Sequence, residues 1–149
     1  MKQLTPQETV ISIMRFATAK PPKWAYQIME IAQLNVFKQK ALKNSFSSLV
    51  LFLWQLSIRE AHPETANLVI GTWNALMKDA YQNAQSVLTA IQRDIDRYSS
   101  AMSHSGAKTF EQVALQFVLL LRGDQPDNIA YAARMSAEIE NLYAWLLRT

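Results

Sequence analysis

The sequence predicts an all-α protein: one domain over residues 1–149, a bundle of five or six helices with one long helix from about 64 to 102. Three observations predict it. Half of the 149 residues are apolar, which excludes a disordered or collagen-like chain, and there are only three Gly. The five Pro stand where helices would begin. Finally, Met77, Tyr81, Ala84, Leu88, Ile91, Ile95, Tyr98 and Met102 follow one another in alternating steps of four and three. That is a heptad seam, and only an α-helix turns this spacing into a continuous stripe.

The elements follow in chain order. Thr5-Pro6-Gln7-Glu8 is a helix start with Thr5 as cap, Pro6 in the first turn and Glu8 closing a capping box. Val10, Ile13, Met14 and Ala17 form its apolar face. Pro21-Pro22 ends it, because a residue before proline is pushed out of helical geometry. Pro22 opens a second helix through Trp24, Ala25, Ile28, Met29, Ile31 and Ala32. Its pattern continues over Leu34, Phe37, Ala41 and Leu42, with Asn35 as the point where it would break.

From Asn44 to Ile58 no residue is charged. Apolar side chains fall on nearly every face, so the helix of about 46–61 is expected at the centre of the bundle. It is short of the roughly 20 residues of a membrane span. His62-Pro63-Glu64 then opens the long helix. Gly71 inside it costs about 1 kcal/mol relative to Ala and marks a kink or a close backbone approach. The seam is broad where Leu76, Ala80 and Val87 flank it and narrow where Arg93, Asp94, Asp96 and Arg97 do. A narrow stripe suits a two-helix contact.

Ser99–Lys108 reads as a loop. Thr109-Phe110-Glu111-Gln112 reads as a second capping box before a strongly buried helix of about 110–122, closed by Arg122-Gly123. Pro126 opens the last helix, with Ile129, Ala132, Ser136, Ile139, Tyr143 and Leu146 as its stripe and Trp145 and Leu147 beside it. Trp24, Trp54, Trp73 and Trp145, with Met14, Met29 and Met77, are assigned to the core.

The net charge of +3 is uneven. Residues 1–62 hold eight Lys/Arg against three Glu, a net +5, whereas residues 63–149 hold seven against nine, a net −2. The absence of Cys excludes disulfides and thiolate metal sites and fits the cytosol. Met1–Phe16 lacks the basic and long apolar stretches of a signal peptide. Neither His62 nor His104 has the Glu three residues before it that a di-iron bundle uses, so no metal or other cofactor is expected. The three Gly are too scattered for a phosphate loop. Lys20, Lys23, Lys38, Lys40 and Lys43 lack a helix-turn-helix around them, and sequence-specific DNA binding is not expected.

One pair resembles a catalytic motif. Arg97 and His104, with six residues between them, resemble the Arg-x(4–6)-His motif of the HEPN family, helical bundles that include metal-independent RNases. The resemblance covers eight residues. It implies RNA cleavage in which His104 handles a proton and Arg97 holds phosphate.

The expected function is non-enzymatic: a cytoplasmic helical interaction module that pairs with itself, as a homodimer, or with a partner protein. Its surface would be Leu88, Ile91, Ile95, Tyr98 and Met102, or the end from Leu142 to Leu147. The alternative is a protein peripheral to a lipid or granule surface, using Lys38, Lys40 and Lys43 with the apolar helix that follows. In amphipathic helical composition alone it is similar to phasins.

Overall fold

The charge-free run lies inside the longest of seven helices in the computed structural model, which describes residues 4–31, 35–105 and 110–148, without the side chains of His104 and Ser105. The helices are α1 (Pro6–Ala17), α2 (Lys23–Ile28), α3 (Val36–Ala61), α4 (Ala66–Ala80), α5 (Gln85–Ser105), α6 (Glu111–Arg122) and α7 (Asn128–Arg148). No strand occurs among the described residues. The helix count is thus one above the expected five or six.

Every residue of α3 from Ser48 to Gln55 is buried, on all faces of the helix. Five others pack on it: α1, α4, α5, α6 and α7. α6 and α7 form the most extensive pair, and α2 lies against α7. Ring contacts tie the layers: Trp24 on Phe46 at 5.8 Å, Phe52 on Tyr98 at 5.7 Å, Phe16 on Trp145 at 5.0 Å. Trp73 is fully buried in α4, and its indole N–H donates to the Met14 thioether of α1 at 3.4 Å. α6 is less enclosed than expected. One face, Val113, Ala114, Phe117 and Val118, is buried, and Leu119, Leu120 and Leu121 are half-buried.

The first capping box forms as read. Glu8 N–H donates to Thr5 Oγ1 at 3.1 Å, and Thr5 N–H donates to Glu8 Oε1 at 3.3 Å. The expected continuous helix from Pro22 to Leu42 divides. α2 ends at Ile28, and Asn35 caps α3 by accepting from the Lys38 N–H at 3.1 Å. The lysine-bearing segment therefore belongs to the same helix as the buried run. The loop expected at Ser99–Lys108 is helical as far as Ser105. The capping box at Thr109 falls outside the described residues, and α6 starts at Glu111, with Phe110 in the cap position making no side-chain cap hydrogen bond.

The long helix of about 64–102 is where sequence and structure disagree most. It is two helices, broken at Tyr81–Ala84. Turn hydrogen bonds replace helical ones there: Ala84 N–H to Tyr81 O at 2.8 Å and Val87 N–H to Ala84 O at 3.0 Å. In a straight helix Asn74 and Gln92 would lie about 27 Å apart. Here Gln92 Nε2 donates to Asn74 Oδ1 at 3.3 Å, so α5 folds back beside α4. The seam survives as two half-seams facing one core. Ile70, Trp73 and Met77 are buried from α4, and Leu88, Ile95 and Tyr98 from α5.

Gly71 is neither a kink nor a close approach. It sits exposed within α4, and a Cβ there would meet nothing within 4 Å. Gly71→Ala should therefore stabilise the fold by about 0.5–1 kcal/mol, raising Tm by about 2–4 °C in a thermal melt followed by circular dichroism. The Tyr98 hydroxyl is buried without a hydrogen-bond partner, and burial pushes its phenol far above the usual range. Tyr98→Phe keeps the ring on Phe52 and removes the orphaned group. Chemical denaturation should show a gain of about 1 kcal/mol rather than a loss.

Candidate functional site

The seam residues expected to meet a partner are mostly committed to the interior. Leu88, Ile95 and Tyr98 are buried in the chain's own core, and Ile91 and Met102 are half-buried against it. An exposed seam at 88–102 is therefore corrected: once the rod folds, its apolar edge is covered by the chain itself. At the end of α7 Leu146 is buried, while Leu142, Tyr143 and Leu147 are half-buried. Trp145, assigned to the core, is 45 % exposed, with one side of its ring on Phe16. Tyr143 donates its hydroxyl to Glu60 of α3.

A different surface stands out at the start of α3. Residues 36–41 include no buried residue, and burial begins only at Leu42. At 1.5 Å per residue, about 9 Å of helix precedes the first buried residue. Val36 is 70 % and Phe37 88 % exposed, the largest exposure of any aromatic described. The sequence pattern put Phe37 on a core stripe. With Asn35 as cap, Leu42 and Phe46 set the inward face, and at about 100° per residue Val36, Phe37 and Lys40 fall on the outward one. Lys43 lies at one edge of it, whereas Lys38, four residues before Leu42, falls nearer the inward side, and all three lysines are exposed.

The surrounding chain adds charge of the same sign. The Trp24–Phe46 ring contact and the hydrogen bond from Ser47 Oγ to the Ala17 carbonyl bring the 18–24 segment against the third turn of α3. Lys20 and Lys23, both exposed, therefore lie at this end of the molecule. No Asp or Glu occurs between residues 31 and 58. Among the described residues none of these five lysines has an ion-pair partner. The first turn of α3 holds no acid, although the partial positive charge of a helix start favours one. The N-terminal segment thus stacks a cationic field around two exposed apolar side chains.

The Arg97 site is an open polar groove of about 750 Å³ between α5 and α6, lined by Arg93, Asp96, Arg97, Gln112 and Gln116. It could hold an anion. The side chain of His104, the other half of the HEPN-like pair, lies outside the described residues. Among the described residues no group of His, Asp or Glu could hold a metal ion.

One further polar cluster is structural. Arg122 pairs with Asp127 at 2.8 Å, donates to Asn128 Oδ1 at 3.0 Å, and its guanidinium lies 3.9 Å from the centre of the Tyr131 ring. Asn128 is buried and donates to the Gly123 carbonyl at 2.8 Å. Tyr131 in turn donates to Glu30 Oε2 at 2.8 Å, which ties the end of α2 to α7. Glu30 holds a left-handed φ of 54°, a conformation that costs a non-glycine residue about 1–2 kcal/mol. The cluster joins the turn between α6 and α7 to the end of α2. The hydrogen bond from Arg122 holds the Asp127 carboxyl below its ordinary 3.8, against a smaller opposing effect of burial. A depressed carboxyl pKa stabilises the fold above the ordinary value and loses that effect as pH falls below it. The stability difference between wild type and Asp127→Asn should thus be full near neutrality and shrink steadily below pH 3.8 in acid unfolding titrations.

No protein family, curated protein or solved structure matches this chain.

Proposed function

We propose that this chain is a peripheral protein that docks on anionic phospholipid surfaces through the exposed start of α3. Phe37 carries the reading: an almost fully exposed aromatic, next to an exposed Val36, bracketed by Lys38, Lys40 and Lys43. In water the Phe37 ring forgoes the roughly 1.5–3 kcal/mol that burying it would bring. At a bilayer interface the ring enters the acyl boundary while lysines meet headgroup phosphates, each contributing about 1 kcal/mol near an anionic leaflet. The two contributions act together where they share one face, as Phe37 and Lys40 do, with Lys38 and Lys43 to either side. Attachment would be superficial, since among the described residues no helix is long and apolar enough to cross a membrane.

Neutralising three lysines at about 1 kcal/mol each predicts a loss of about a hundredfold in partitioning. In sedimentation with phosphatidylserine-containing vesicles at low salt, the wild type should pellet with lipid and K38Q/K40Q/K43Q should stay in the supernatant. Phe37→Ala should bind several-fold more weakly, and pure phosphatidylcholine vesicles should retain little protein. These positions are exposed, so the variants should keep the wild-type circular dichroism spectrum. Equal binding to neutral and anionic vesicles, or a triple variant that pellets like wild type, would defeat the reading.

A further inference from the structure

A second cavity lies far along α3 from the lysines, in the crevice where α4 and α5 fold back over it. Its volume is about 210 Å³, room for about seven waters or one small metabolite. Its walls include the buried Phe52 and Ile95, but most of its lining is polar. Gln55 of α3, only 6 % exposed, opens into it. Among the described residues no hydrogen bond involves the Gln55 side chain. Its carboxamide reaches the cavity rather than being sealed in, so its hydrogen bonds are left for water or a ligand there to fill. Leu or Met would suit the packing better.

The rest of the wall has matching vacancies in its bonding capacity. Gln92 Nε2 donates to Asn74 Oδ1, which leaves the Asn74 amino group as a donor and the Gln92 carbonyl as an acceptor. Arg59 and Asp96 both line the cavity, yet they do not pair with each other. Two opposite charges kept apart over a pocket of this size fit a ligand that carries both signs itself. From these features we infer that the cavity is a binding site for a small polar amino acid. Its carboxylate meets the Arg59 guanidinium, its ammonium meets Asp96, and its side-chain polar group meets the Gln55, Asn74 and Gln92 amides. The inference stands apart from the lipid surface, which lies in a different part of the molecule and shares no residue with it.

Isothermal titration calorimetry with L-glutamine, L-asparagine and L-serine as probes tests it on the full chain. At least one probe should bind with a Kd of about 1 mM or tighter. For L-glutamine, the single-charge analogues glutaramate, lacking the ammonium, and γ-aminobutyramide, lacking the carboxylate, should each bind about tenfold more weakly. Arg59→Gln and Asp96→Asn, both at exposed positions, should each weaken the best probe about tenfold. Gln55→Leu should abolish binding with the melting transition retained or raised. Arg93→Gln, in the neighbouring groove, should bind as wild type. Absence of heat with all three probes would overturn the assignment, as would analogues that bind as well as the amino acid. Affinity unchanged in both charge variants would overturn it too.

Discussion

Covering α3 on every side is the constraint from which the remaining architecture follows. A helix whose residues from Ser48 to Gln55 are all buried cannot lie on the surface of a two-layer protein; it needs neighbours around its whole circumference. Five helices supply them. With 26 residues, α3 is about 39 Å long. A straight rod over the 64–102 span would be about 58 Å long, so much of its seam would overhang the helix it covers. Each Leu, Ile or Met left in water there forgoes about 1.5–3 kcal/mol. Folding at Tyr81–Ala84 places both half-seams against α3 and its neighbours. The break is thus demanded by the core rather than by a strong local stop signal.

The same reasoning explains what could be read from the chain alone. Local chemistry was readable: the Thr5–Glu8 box closes as spacing predicts, and Gly123, at a φ of 69°, ends α6 where Arg122-Gly123 marks it. The all-round burial of α3 was readable because no charge interrupts it. The hairpin was not, because a turn of about one helical repeat leaves the four-three spacing intact on both sides. Apolar periodicity records which residues face a core, and two helices facing one core keep it. The available hint was Gln82-Asn83, since Asn favours turns and is a weak helix former, but alone it is a small signal against eight seam positions. Phe37 was misplaced for the complementary reason. Its face is fixed by which helix it belongs to, and that changed once Asn35 proved to be a cap.

Polar groups inside the fold depend on partners far away in sequence. Trp73 finds Met14, Tyr131 finds Glu30 and Tyr143 finds Glu60, with separations of 59, 101 and 83 residues. No spacing rule reveals such pairs. Tyr98 and Gln55 show the same dependence by contrast, since each sits in the core without a protein hydrogen bond. They differ in surroundings. The Tyr98 hydroxyl is sealed in, which makes it a cost to stability, whereas Gln55 borders a cavity that a polar molecule can enter.

The two ends of α3 carry cations for different reasons. At its C-terminal end Arg59 lies in the last turn, where the helix dipole favours positive charge. At its N-terminal end the dipole disfavours Lys38 in the first turn, and no acid there offsets it. A surface that only needed solubility could place those charges anywhere on the exposed helices. Placing Lys38 and Lys40 on the roughly 9 Å of helix that precedes the first buried residue raises the local positive potential on an exposed surface. An anionic layer is the environment in which that arrangement becomes favourable, because phosphate oxygens offset both the lysines and the positive end of the helix. The exposed Phe37 ring beside them then decides between a free ion and a layer with depth, since an ion in solution gives the ring nothing to enter.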